Sequence, residues 1–87
     1  MIIELEEKLL EAIDQTVATA SDDELFAGGY LRGHISLSAA DCEAEGVQDV
    51  EVFKQRIQAS LDQARNELTP ADQVIVADMW QSLVAKM

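Results

Sequence analysis

The chain holds one cysteine, one proline, four glycines and only six basic side chains among its 87 residues. Each scarcity excludes something. With Cys42 alone, no intramolecular disulfide and no cysteine-built metal cage can form. Pro70 stands alone and no Gly/Ser/Pro-rich stretch occurs, so nothing marks a linker, a low-complexity segment or an internal repeat. Residues 1–87 therefore read as a single domain. Against the six basic residues stand 17 acidic ones, a formal charge of −11 with His34 neutral. A binder of nucleic-acid phosphates or of an anionic membrane surface needs a basic footprint, which this charge denies. The longest apolar run, Val74-Ile75-Val76-Ala77, is four residues, far from the roughly 20 that cross a bilayer. Glu4, Glu6 and Glu7 stand where a secretory leader would carry Lys or Arg. The expectation is a cytoplasmic protein with no nucleic-acid and no membrane partner.

What is present is helical pattern. Leu, Ile, Val and Phe supply 24 of the 87 residues, above the roughly 20% below which charged chains stay disordered. Four segments repeat their apolar residues near 3.6, and none alternates with period two. In the first, Ile2, Leu5, Leu9, Ile13, Thr16/Val17 and Ala20 form one stripe. Ser21-Asp22-Asp23-Glu24 then has the form of a capping box and opens a second helix. Its apolar positions are Leu25, Phe26, Tyr30, Leu31, Ile35, Leu37 and Ala40. Gly28-Gly29 lies within it, each glycine costing about 0.5–1 kcal/mol relative to Ala in a helix interior. Two explanations compete: a break, or a close approach by another helix. The stretch reads as continuous or slightly kinked there.

Gly46 suits the residue just past a helix end, and Asp49 suits the cap of the next helix. Val50, Phe53, Ile57, Leu61, Ala64 and Leu68 make the third stripe, the most regular of the four. Thr69-Pro70-Ala71-Asp72 starts the fourth, with the hydroxyl at the cap, Pro at the first helical position and an acid in the first turn. That helix turns Val76, Ala77, Trp80, Leu83 and Val84 inward. The fold class is all-α. Short connections imply a small antiparallel, up-and-down four-helix bundle, with an irregular helical array as the alternative.

The run Ser21-Asp22-Asp23-Glu24-Leu25-Phe26-Ala27-Gly28-Gly29-Tyr30-Leu31-Arg32-Gly33-His34 resembles the signature stretch of the YfcL family, small uncharacterised bacterial proteins. Leu68-Thr69-Pro70-Ala71-Asp72-Gln73 and Asp78-Met79-Trp80 are similar to that family's C-terminal part. The resemblance extends over essentially the whole chain, with Gly46–Val52 the part that matches least. It implies a compact helical protein. It brings no catalytic or binding residue with it.

The most chemically mixed segment is Tyr30-Leu31-Arg32-Gly33-His34. On a regular helix Tyr30 and His34 share a face one turn apart, while Arg32 projects about 160° from both. The plainer readings are a boundary His34 bonded to a neighbouring carboxylate or carbonyl, and an Arg32 paired with an acid of another helix. Asp22-Asp23-Glu24 suggests a divalent cation, yet lacks the ligand spacing and glycine of a calcium loop. Those acids equally complement the positive end of a helix. No His-Glu-x-x-His motif and no Gly-rich phosphate loop with Lys occurs, so no cofactor or metal is expected.

Asp41, Glu43, Glu45, Asp49 and Glu51 form a second acidic run, but an up-and-down bundle spreads the chain's acids over both ends. Cys42, set among acids, is expected to be unreactive. Trp80 is expected in the core. Ile75 and Met79 lie off the fourth stripe and suggest spare apolar surface, for a protein partner or a homodimer.

Two functions follow, and a third ranks last. The first is a non-enzymatic helical module that binds another protein. The second is a small-molecule or ion-binding domain, or a minor enzyme, using Tyr30, Arg32 and His34 with Asp22, Asp23 or Glu24. The third is an acidic mimic of DNA, which would need carboxylates spaced like phosphates along one face.

Overall fold

A computed structural model describes residues 2–86. Its helices are α1 (Ile2–Thr16), α2 (Asp22–Ala44), α3 (Val50–Ala64) and α4 (Pro70–Val84), with a single 3₁₀ turn at Arg65–Glu67. No strand occurs among the described residues.

Local chemistry sets most of these boundaries. Ser21 Oγ accepts from the Glu24 backbone N–H at 3.2 Å, while Glu24 Oε1 accepts from the Ser21 N–H at 3.2 Å. The reciprocal box satisfies two donors that a helix start leaves free. At the far end of α2, Gly46 adopts φ +72°, the left-handed conformation that a side chain resists. Its N–H donates to Glu43 O at 3.1 Å and the Val47 N–H to Cys42 O at 2.8 Å. This double closure is a Schellman motif, and Val47 packs against the core beside it. Asp49 caps α3 by accepting from the Glu51 N–H at 2.9 Å, and Thr69 caps α4 by accepting from Asp72 at 3.2 Å. The Gln73 amide donates to Arg65 O and Leu68 O, tying the α3–α4 turn to the first turn of α4.

Each helix runs antiparallel to the one before it. Arg32 reaches back to Leu10 and Asp14, Glu45 lies beside Arg56 while His34 lies beside Ser60, and Gln58 meets Trp80. The chain is thus a small four-helix bundle, and α2 is its shared wall: α1, α3 and α4 all pack on it. Its buried positions, Ala27, Gly28, Leu31, Ile35, Ser38, Ala39 and Cys42, meet Leu9 and Ile13 from α1, Phe53 and Ile57 from α3, and Val76, Trp80 and Leu83 from α4.

α2 is one uninterrupted helix through Gly28-Gly29. A Cβ on Gly28 would lie 2.9 Å from Ile13 Cγ2 and 3.8 Å from Met79 Sδ, whereas one on Gly29 meets nothing within 4 Å. Gly28 therefore serves close helix approach, not a break.

Several positions of the expected stripes lie elsewhere. α1 stops at Thr16, and Val17 is 52% exposed. Residues 17–20 form successive turns because Ser21 takes the cap of α2 and so stands outside helical geometry. Leu25, Phe26, Leu37 and Ala40 are exposed, and α2 buries smaller residues instead. Ala77 is also exposed. Trp80 is buried and donates from Nε1 to Gln58 Oε1 at 2.9 Å.

The two adjacent glycines make opposite predictions. Gly28→Ala drives a methyl into the β-branch of buried Ile13, and should destabilise by about 1–3 kcal/mol. Gly29→Ala adds a helix-favouring residue in open space, and should be neutral or stabilise by up to about 1 kcal/mol. Urea unfolding of both variants checks this; equal losses would refute the close approach at Gly28.

Candidate functional site

The residues singled out in the sequence divide among three places. At the start of α2, Glu24 is occupied by the capping box, while Asp22 and Asp23 are exposed in the first turn. Among the described residues, no three His, Cys, Asp or Glu side chains gather as a metal would need.

Arg32 faces α1. Its Nη1 donates to Asp14 Oδ1 at 2.6 Å and to Leu10 O at 3.4 Å, so it pairs with an acid of another helix. Glu24 and Arg32 both line a cleft of about 160 Å³ beside Val17, Leu25 and Gly29.

Tyr30 and His34 face the other way. Their rings lie 4.7 Å apart, and Phe26 continues the ladder 6.0 Å from Tyr30. His34 Nδ1 is 2.6 Å from Ser60 Oγ on α3, a hydroxyl partner rather than the carboxylate or carbonyl expected. Burial lowers the His34 pKa below its usual 6.5, with the negative charge of Glu67 acting in the opposite direction. The Tyr30 hydroxyl is buried without a hydrogen-bond partner; burial, and then Glu67, raise its pKa. Tyr30 also lines a cleft of about 80 Å³ with Gln58, Gln73 and Trp80. Arg32 and His34 thus contact different helices and do not converge.

The Ser60–His34 contact joins residues 26 apart and has the spacing of a nucleophile and its base. Ser60 lies inside α3, where backbone N–H groups are engaged within the helix. Neither Ser60 nor His34 lines the cleft at Tyr30, the cleft at Arg32 or the clefts between α1 and α4.

A different feature carries the larger concave surface. α1 and α4 both pack on α2 but touch each other sparsely. Between them run two adjoining clefts, of about 250 and 370 Å³, that share Ala12, Leu83 and Lys86. Ile13, Ile75 and Met79 line the larger, and Asp23, Glu24 and Asp78 stand on its rim. Lys8 flanks the smaller, and Lys86 flanks both. Ile75 and Met79 are half-buried against the core, so the off-stripe apolar positions of α4 form a wall of this groove. Their spacing was the one sequence signal for it; the groove's α1 side looked like ordinary core stripe.

The match to known proteins is at the level of the whole chain. The model of the YfcL protein family covers residues 3–85. The chain belongs to the YfcL family. A relative from Escherichia coli (strain K12), described as "Uncharacterized protein YfcL", is 45% identical over 85 residues, 95% of this chain and 92% of the relative. No solved structure matches the chain. Membership in the YfcL family thus brings no activity to assign to Tyr30, Arg32 or His34. No helix among the described residues is long and apolar enough to cross a membrane.

Two measurements probe the Tyr30–His34 ladder. The chain has one histidine, so its imidazole resonances titrate without ambiguity. The midpoint should lie below 6.5, the usual value, because burial disfavours the cation. The unfolded chain then binds the extra proton first, so this group's contribution to stability is full above 6.5 and declines as pH falls through the folded midpoint. A midpoint at or above 6.5 would mean that the charge of Glu67 outweighs the burial of His34.

Tyr30→Phe removes a buried hydroxyl that has no partner, and should be neutral or stabilise by up to about 1 kcal/mol. A clear loss in the urea midpoint would show that the hydroxyl is bonded in solution.

Proposed function

We propose that this chain is a non-enzymatic, cytoplasmic helical module that binds another protein along the groove between α1 and α4. The observation carrying this reading is the groove itself. Two helices of a small bundle stand on a common wall and leave Ala12, Ile75 and Met79 half-buried between them. A fully closed bundle would bury such side chains; their residual exposure is apolar surface available to a partner. The groove's openness and its extent along two helices suit an elongated ligand such as a helix.

The second reading, a small-molecule or ion site built from Asp22, Asp23, Glu24, Tyr30, Arg32 and His34, has less support. Arg32 and His34 contact different helices, and the cleft at Tyr30, about 80 Å³, lies below the roughly 300 Å³ of an ordinary ligand pocket.

Ala12 lines both clefts, so Ala12→Phe fills the groove with one side chain. In crosslinked capture from the native lysate, the wild-type chain should retain a partner in stoichiometric amount, and the Ala12→Phe variant should lose it. Absence of any stoichiometric partner, or equal retention by the two chains, overturns the reading.

A further inference from the structure

Given the module reading above, we infer that the α1–α4 groove takes a cationic amphipathic helix of another protein, its apolar stripe on Ala12, Ile75 and Met79 and its Lys/Arg side chains over Asp23 and Asp78. The groove follows α1 from Leu5 to Thr16. At 1.5 Å per residue that is about 18 Å, or some three helical turns. With no strand among the described residues there is no sheet edge to offer an extended peptide, and a helix laid in a groove is the fitting mode.

Charge selects the kind of helix. Asp23, Glu24 and Asp78 rim the larger cleft, and neither Asp23 nor Asp78 joins an ion pair among the described residues. Basic side chains bound there acquire partners without displacing existing ones. A second copy of the chain fits poorly, because each copy carries a formal charge of −11 and a twofold contact sets the same carboxylates near one another. Lys86 lines both clefts, but the larger sets three acids, Asp23, Glu24 and Asp78, against it, whereas the smaller sets Glu11 against Lys8 and Lys86; this difference favours the basic part of the helix at the Asp23–Asp78 end.

The probe is a designed peptide of about 15 residues, with Leu at i, i+3, i+4 and i+7 spacing and Lys elsewhere, beside a Leu/Glu counterpart. Binding is followed by amide chemical shifts at low and at physiological salt. The Leu/Lys peptide should perturb Ala12, Ile75, Met79 and Leu83 as one cluster, and the Leu/Glu peptide should not. Asp23→Asn with Asp78→Asn should weaken binding at least fivefold. Glu7→Gln with Glu43→Gln, the same change of charge at exposed sites off the groove, should weaken it less than twofold. Ala12→Phe should abolish it, with the helical spectrum checked for folding.

Equal weakening by the two charge pairs, or shifts scattered over the surface, would mean attraction by net charge alone and overturns the inference. Equal binding of the Leu/Glu peptide overturns it as well, while groove-dependent capture of a native partner would leave the module reading standing. Loss of that capture's dependence on Ala12 would remove the module reading itself.

Discussion

The contact on which this bundle depends is at Gly28, where α2 has no side chain and two other helices come in. Ile13 of α1 lies against that backbone, and Met79 of α4 approaches the same spot. A Cβ there would crowd Ile13 at 2.9 Å but meet Met79 only in ordinary contact at 3.8 Å, so this one position sets the depth at which α1 sits on α2. The consequences continue along the chain. With Ile13 seated, Asp14 comes within reach of Arg32, one turn further along α2. With Met79 seated on the other side, α1 and α4 flank the groove without closing it.

Charge is organised around the same wall. A formal −11 works against a compact state through self-repulsion, and the structure answers locally. Ser21 and Glu24 fix carboxylate density at the positive end of α2. At its negative end, where acids are unfavourable, Glu45 is held by two hydrogen bonds from Arg56, which keep its carboxyl below the usual range. That pair also links the end of α2 to α3. Arg32 and Arg56 are thus spent joining helices, and many of the remaining carboxylates are left to solvent or to the groove rim.

The starts of α2, α3 and α4 and the end of α2 are legible in the sequence because capping chemistry is local, whereas the apolar stripes run past the ends of α1 and α3 at Thr16 and Ala64. Ser21, Gly46, Asp49 and Thr69 each act within a few residues of the backbone groups they satisfy, and Pro70 stands where a helix start has no use for its missing N–H. The inward face of α2 was far less legible. A helix contacted from three directions selects for size at each close approach, so its buried positions include Ala27, Gly28, Ser38 and Ala39, which contribute little to any apolar stripe. Phe26 and Leu37, which dominate such a stripe, point outward. The pairing of Arg32 is legible because a chain with 17 acidic and six basic residues offers a guanidinium between helices many carboxylates, of which Asp14 is the one it meets. The partner of His34 could not, since Ser60 arrives through tertiary packing and its residue type carries no charge signal.

The groove joins these observations into a functional argument. Ile75 and Met79 look misplaced if α4 is judged by one core stripe, yet they pack inward and still keep part of their surface open. Larger side chains at Ala12 would bury that surface and add apolar contact, about 25 cal/mol for each Å² removed from water. Stability alone therefore favours a filled groove. Acids on its rim add the opposite influence, since carboxylates beside an apolar surface keep it hydrated and repel a like-charged copy of the chain. An open apolar floor under a negatively charged rim is a poor way to finish a small core and a suitable way to receive a basic helix.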